Sequence, residues 1–104
     1  MTDGLVVFCS CENESQAQHL AEALVDAHVA ACVNILPPVK SIYRWQDKIE
    51  RSEETLLFIK TTSDRFAALR DRIADLHTYD TPEIIAIPIA EGSEKYLAWL
   101  REQV

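Results

Sequence analysis

Apolar residues in this chain fall into short unbroken runs separated by longer stretches of helical period. "LVVFCSC" (5–11) is apolar at strand length, the pattern of a strand covered on both faces. In "ENESQAQHLAEALVDAHVAA", which follows, Ala17, Leu20, Ala21, Leu24 and Ala27 recur at helical spacing behind an Asn13 cap, with Gln16 three residues on. Residues 31–62 predict two long strands around a polar tip. Val39, Ser41, Tyr43 and Trp45 share one face of the first, and Lys40, Ile42 and Arg44 the other. Pro37 and Pro38 have no amide proton for a ladder, so they belong at an edge or a bend. "QDKIERSEE" supplies the turn and "TLLFIK" (55–60) a central strand. "SDRFAALRDRIADLH" (63–77) predicts a helix from a Ser63 cap, since Phe66, Leu69, Ile73 and Leu76 step by three, four and three. "EIIAIPI" (83–89) is a fourth strand whose Pro88 marks an edge or an end. "GSEKYLAWLREQV" closes with a helix behind Ser93, carrying Tyr96, Leu97 and Leu100 inward and Trp99 alongside.

The order β-α-β-β-α-β plus a terminal helix is that of split βαβ units. It predicts an α+β fold, one domain over residues 1–104, with an antiparallel four-stranded sheet and both main helices on one face. Strands 5–11 and 55–60 are apolar in both directions, yet the helices cover a single flank. Apolar patches of that extent are rare on monomers, so a second copy of the chain is the predicted cover.

Charge narrows the partners. The chain carries 17 acidic against 10 basic residues, a net charge of −7, and its Lys and Arg are scattered. Nucleic acids and anionic membranes need a clustered positive surface and are not expected partners. No run approaches the ~18 apolar residues that span a bilayer. "MTDGLVVFCSC" lacks the basic region of a signal peptide, which predicts a cytoplasmic protein with Cys9, Cys11 and Cys32 reduced. Two glycines leave no phosphate-cradling loop, and no nucleophile elbow or HExxH occurs, so catalysis is not expected.

Three stretches hold metal or proton chemistry. Cys9 and Cys11 put two thiols on one strand face, about 7 Å apart at Cα. They are either a soft-metal pair or two small core hydrophobes. Cys32 reads as core. His19 and His28 fall about 180° apart on the first helix and cannot share an ion. His77 either caps the second helix or offers its imidazole to Cys9 or Cys11, because the strand that follows it neighbours the first. Asp80, Thr81 and Pro82 read as turn chemistry. Glu83, at the mouth of an apolar strand, needs a partner, for which Lys60 or a tyrosine hydroxyl from another subunit is the candidate.

"AACVNILPPVKSIYRWQDKIERSEETLLFIKTT", "HTYDTPEIIAIPI" and "YLAWL" together resemble the CutA family of divalent-cation-tolerance proteins over essentially the whole chain. The resemblance implies a ferredoxin-like subunit in a PII-like homotrimer, serving tolerance of divalent metals, copper especially, in the cytoplasm. It implies copper ligation by a first-strand cysteine, here Cys9, and by two adjacent histidines. One of these falls on His77, while Leu76 takes the other position and Thr78 the place of a proline. Cys11 can stand in for the missing donor only if it faces the same space. The alternative function is that of a PII-like sensor or scaffold. Its cleft between subunits would hold a small ligand or partner protein and be lined by Trp45, Lys60, Tyr79, Glu83, Tyr96 and Trp99.

Overall fold

The computed structural model describes residues 2–104. The elements are β1 (Gly4–Cys11), α1 (Glu14–Asp26), β2 (Cys32–Ile35), β3 (Val39–Trp45), β4 (Lys48–Thr62), α2 (Phe66–Leu76), β5 (Ile85–Pro88) and α3 (Glu94–Glu102). The sheet runs β2-β4-β1-β5, with every neighbouring pair antiparallel, and β3 pairs with the other half of β4. The two most apolar runs, β1 and β4, are therefore the central strands.

Strand register sorts the side chains. Val7 faces Ile59 and Cys9 faces Leu57 across the β1–β4 ladder. These four are fully buried under Leu20 and Leu24 of α1 and Leu69 and Ile73 of α2, so both helices cover the same flank. The alternate residues occupy the other flank: Val6, Phe8, Phe58 and Lys60, with Ile85 opposite Phe8 and Ile87 opposite Val6. There α3 reaches one end only, where the Tyr96 ring centre comes within 5.9 Å of Lys60 Nζ. The remainder is bare. Ile85 and Ile87 are 54% and 52% exposed, and Phe8 and Phe58 meet edge to face at 5.3 Å. The arm made by β3 and the first half of β4 stretches the molecule to 45 × 25 × 24 Å and carries exposed Ile42, Trp45 and Ile49.

Several expectations shift. The long strand predicted across residues 31–45 breaks at Leu36–Pro38. The Leu36 amide still reaches Leu56 O at 2.9 Å, after which two prolines have no proton to give, so a bend replaces the ladder. "QDKIERSEE" is not a loop. Only Gln46 and Asp47 turn, both at positive φ (49° and 64°) as a two-residue type I′ hairpin requires, and Lys48–Glu54 are strand. Ser63 caps nothing; a 3-10 turn over Ser63–Arg65 leads into α2. The fourth predicted strand is trimmed to Ile85–Pro88, an edge strand ending at its proline, as Pro88 foretold. Tyr96 is exposed beside Lys60 and not buried, leaving Leu97 and Leu100 as the buried residues of α3. Ala27 is exposed, because α1 ends at Asp26 in a Schellman motif with His28 in the left-handed position. The Asn13 and Ser93 caps are as expected, accepting from the Gln16 and Tyr96 amides.

Candidate metal centre

Cys9 and Cys11 share the helix-covered face of β1, as a strand period of two dictates, and both are fully buried. His77 is the C-cap of α2. Its amide closes the last turn on Ile73 O at 2.8 Å, and its extended backbone turns the ring back toward β1. The two sulfurs and one ring nitrogen of His77 all lie within 4.8 Å of one another. Leu76, where a second histidine was expected, is half-buried against the core and supplies no donor atom. Cys11, which the sequence left conditional, does face the same space.

Hydrogen bonds fix the state of the imidazole. Nε2 sits 2.8 Å from the Ser10 carbonyl, which only accepts, so Nε2 carries the proton. Nδ1 then accepts from the Tyr79 amide at 3.0 Å. The ring is neutral and held at both nitrogens. Tyr79 in turn donates its hydroxyl to Glu54 Oε2 at 2.8 Å. Glu54 is a buried carboxylate at the inner end of the arm; treating its segment as a turn hid it from sequence reasoning. Its signal was its place directly before "TLLFIK", where a carboxylate must enter the sheet.

The thiols are unequal. Cys9 is pushed far above the ordinary thiol range by its hydrogen bond to Cys11, by burial, and by the negative charges of Cys11, Glu83 and Glu54. The same bond lowers Cys11, against burial and Glu54. Cys11 is thus the more acidic sulfur, and the Cys9 thiol lies 3.9 Å from the Ser10 carbonyl, which can accept its proton. Two thiols and an imidazole suit soft and borderline ions, and bonds of ~2.0–2.3 Å span a gap of this size. These residues fit a metal on one condition. The His77 nitrogen that meets the ion must first release its hydrogen bond, Nε2 that to Ser10 O or Nδ1 that from the Tyr79 amide.

Burial, followed by the hydrogen bond to Glu54, raises the Tyr79 phenol above the ordinary tyrosine value of 10.0. A phenol raised in the folded state contributes stability that is complete below pH ~10 and lost as pH climbs through the folded value. Tyr79→Phe is therefore expected to flatten the loss of stability between about pH 10 and 11 in denaturant titrations. A slope identical to the unsubstituted chain's would show that the Tyr79–Glu54 bond contributes nothing there.

The remaining expected residues separate within one chain. Glu83 is exposed and close enough to act on Cys9; it does not pair with Lys60, which donates to Asn34 Oδ1 on the opposite flank. Trp45 ends the arm. Lys60, Tyr96 and Trp99 lie together. Cys32 is half-buried beside Lys60 and outside the core, because its register places it on the open flank. His28 hydrogen-bonds Gln103 O, and His19 is exposed.

The family described as CutA1 divalent ion tolerance protein matches residues 5–103. The chain belongs to the CutA1 family. A divalent-cation tolerance protein CutA of Thermus thermophilus is 50% identical over 97 residues, 93% of this chain and 94% of that protein. Human protein CutA is 43% identical over 95 residues, 91% of this chain, which spans only 53% of the human protein's length. The crystal structure of CutA from Xylella fastidiosa superposes with a TM-score of 0.96 at 37% identity, covering 98% of both chains. The ferredoxin-like, PII-like fold expected from the sequence is the fold of the CutA1 structures. Among the described residues no helix is long and apolar enough to cross a membrane.

Proposed function

We propose that this CutA1-family chain serves metal tolerance in the reducing cytoplasm as a homotrimer of single-domain subunits, without catalysis. Each subunit holds a soft cation, copper foremost, through Cys9, Cys11 and His77. The observation that carries this reading is the convergence of two thiols and an imidazole within 4.8 Å. Tolerance of divalent cations is the role in the name of the family and of its Thermus relative. Copper follows from the donor set, since thiolate and imidazole favour it over hard ions that seek oxygen. Three free cysteines agree with a reducing compartment. The bare flank of Phe8, Phe58, Ile85 and Ile87 supports self-association.

When bound, the ion would supply charge neutralisation for the thiolates and take no part in bond-making. Cys9 and Cys11 bind it, and His77 completes and orients the set. Tyr79 and Glu54 steady the loop that carries the ring. The test is Cu(I) titration against a competing chelator. Cys9→Ser and Cys11→Ser should each weaken affinity on the order of 100-fold, and His77→Ala about tenfold or more, because even partners of the ligands are worth 10–100-fold. Affinity should also rise about tenfold per pH unit for each thiol proton displaced, since Cys9 is held protonated. Equal affinity in all three variants would remove the site.

A further inference from the structure

Of the three cysteines, two meet. The sulfurs of Cys9 and Cys11 and one nitrogen of His77 lie within 4.8 Å of one another, and both thiols are fully buried beneath α1 and α2. That enclosure comes from the chain's own helices and is complete in the single subunit. Cys32 stands opposite Lys60 on the other face of the sheet, so a disulfide within the chain can join only Cys9 to Cys11.

The backbone between the two is held on one side only. β1 pairs with β4 as far as Cys11–Thr55, whereas β5 runs alongside only Leu5–Phe8. On the free edge the Ser10 carbonyl takes the His77 Nε2–H at 2.8 Å in place of a strand partner, and a bend at residues 12–13 follows at once. Alternate residues of a flat strand stand about 7 Å apart at Cα. A disulfide spans about 4.4–6.8 Å, so joining Cys9 to Cys11 requires a pucker at Ser10. The missing ladder and the bend allow it, at the expense of the His77 hydrogen bond. A bridge closed under such strain is readily reduced.

Imidazole and thiolate together admit copper in either oxidation state, but thiolates favour Cu(I). We infer that Cys9 and Cys11 are a two-electron donor that reduces Cu(II) to Cu(I) and closes to a disulfide, an activity that rests on the metal centre proposed above. Cu(II) reaches the thiols through the half-buried His77 ring. One Cu(II) takes an electron from the pair, leaving an odd electron shared by the two adjacent sulfurs. A second Cu(II) takes that electron as the S–S bond forms. In all, two Cu(II) become two Cu(I), and both thiol protons pass to water. The disulfide has no thiolate to offer, so Cu(I) departs, and a dithiol reductant restores the pair by exchange. A single buried thiol has no neighbour with which to complete the second step, which gives Cys11 a role beyond that of a third donor.

Anaerobic addition of excess Cu(II) to the fully reduced chain, with bicinchoninate as the Cu(I) trap, tests this activity. About two Cu(I) should appear per chain, the intact mass should fall by two hydrogens, and alkylation after unfolding should label Cys32 alone. Dithiothreitol should restore labelling of Cys9 and Cys11. Cys32→Ser should leave the Cu(I) yield and the mass loss unchanged. Cys11→Ser should lose the bridge and reduce Cu(II) about tenfold more slowly or worse, and His77→Ala, which keeps both thiols, should slow the reaction to a similar degree. The Cu(I) titration described above distinguishes this activity from the metal centre on which it rests. Tight Cu(I) binding that depends on Cys9, Cys11 and His77, with no mass loss under Cu(II), overturns the redox activity and leaves the metal centre standing. Cu(I) affinity unchanged in all three ligand variants removes both. The activity is also overturned if Cys32→Ser abolishes the Cu(I) yield, or if Cu(II) joins separate chains through their cysteines instead of closing a bridge within one.

Discussion

Placing aspartate at both Ile85 and Ile87 is expected to reduce the solution mass from that of the proposed homotrimer to that of a single chain. Both side chains stand on the flank that α1 and α2 do not cover, next to Phe8 and Val6, and both are more than half exposed in the single chain. Burying an isoleucine fully is worth about 1.5–3 kcal/mol, and each copy loses two such contributions. The substitution also asks two carboxylates to leave water without partners, a larger penalty. Because β5 is a short edge strand whose side chains at 85 and 87 leave the helix-packed core untouched, the isolated subunit should keep its secondary structure. Light scattering gives the mass and circular dichroism the fold. A double variant that scatters like the unsubstituted chain would mean that the cover lies elsewhere, and the homotrimer would lose its physical basis.

Leu57→Ala should be the most damaging single truncation. Leu57 is fully buried on β4, opposite Cys9 on one side and Ile35 on the other, and belongs to the cluster packed under α1 and α2. Truncation of a buried leucine to alanine costs about 2–5 kcal/mol, depending on how far the walls collapse. Against a typical stability of 5–15 kcal/mol that is a large fraction, and denaturant unfolding would show it as a lowered midpoint. Cys9 loses its cross-strand neighbour in the same variant, so Cu(I) affinity should fall as well. A cost under about 1 kcal/mol would contradict the packing described.

The parts of the fold legible in the sequence are those with a strong period. β1, the stripe of α1, the Leu69–Ile73 face of α2 and the caps at Asn13 and Ser93 all follow from spacing and capping chemistry. The Lys48–Glu54 half of β4 was misjudged because, Ile49 apart, its residues are polar on both faces. Outside a core, alternation carries no apolar signal, and a two-residue turn made of Gln46 and Asp47 lacks the glycine or asparagine that announces a type I′ hairpin. Tyr96 followed the helical stripe on paper but lies over Lys60 at the edge of α3's contact with the flank, where it stays 41% exposed. At the metal centre, the encounter of Cys9 with His77 could be anticipated from strand adjacency. Glu54 and the doubly bonded imidazole could not, since both depend on where a long strand starts and on a carbonyl, Ser10, that no side-chain pattern reports.

β4 runs fifteen residues from Lys48 to Thr62 and serves three ladders at once. It zips locally from the tip, where Trp45 meets Lys48, and at its far end closes with Gly4, more than half the chain away. One ruler thus sets the phase of both the protruding arm and the sheet's centre. A residue added between Glu54 and Thr55 would turn Leu57 and Ile59 toward the solvent side and drive the Lys60 ammonium beneath the helices. No bulge or glycine in that stretch offers a place where such a slip could be absorbed, so insertions in evolution or engineering should be confined to the tip.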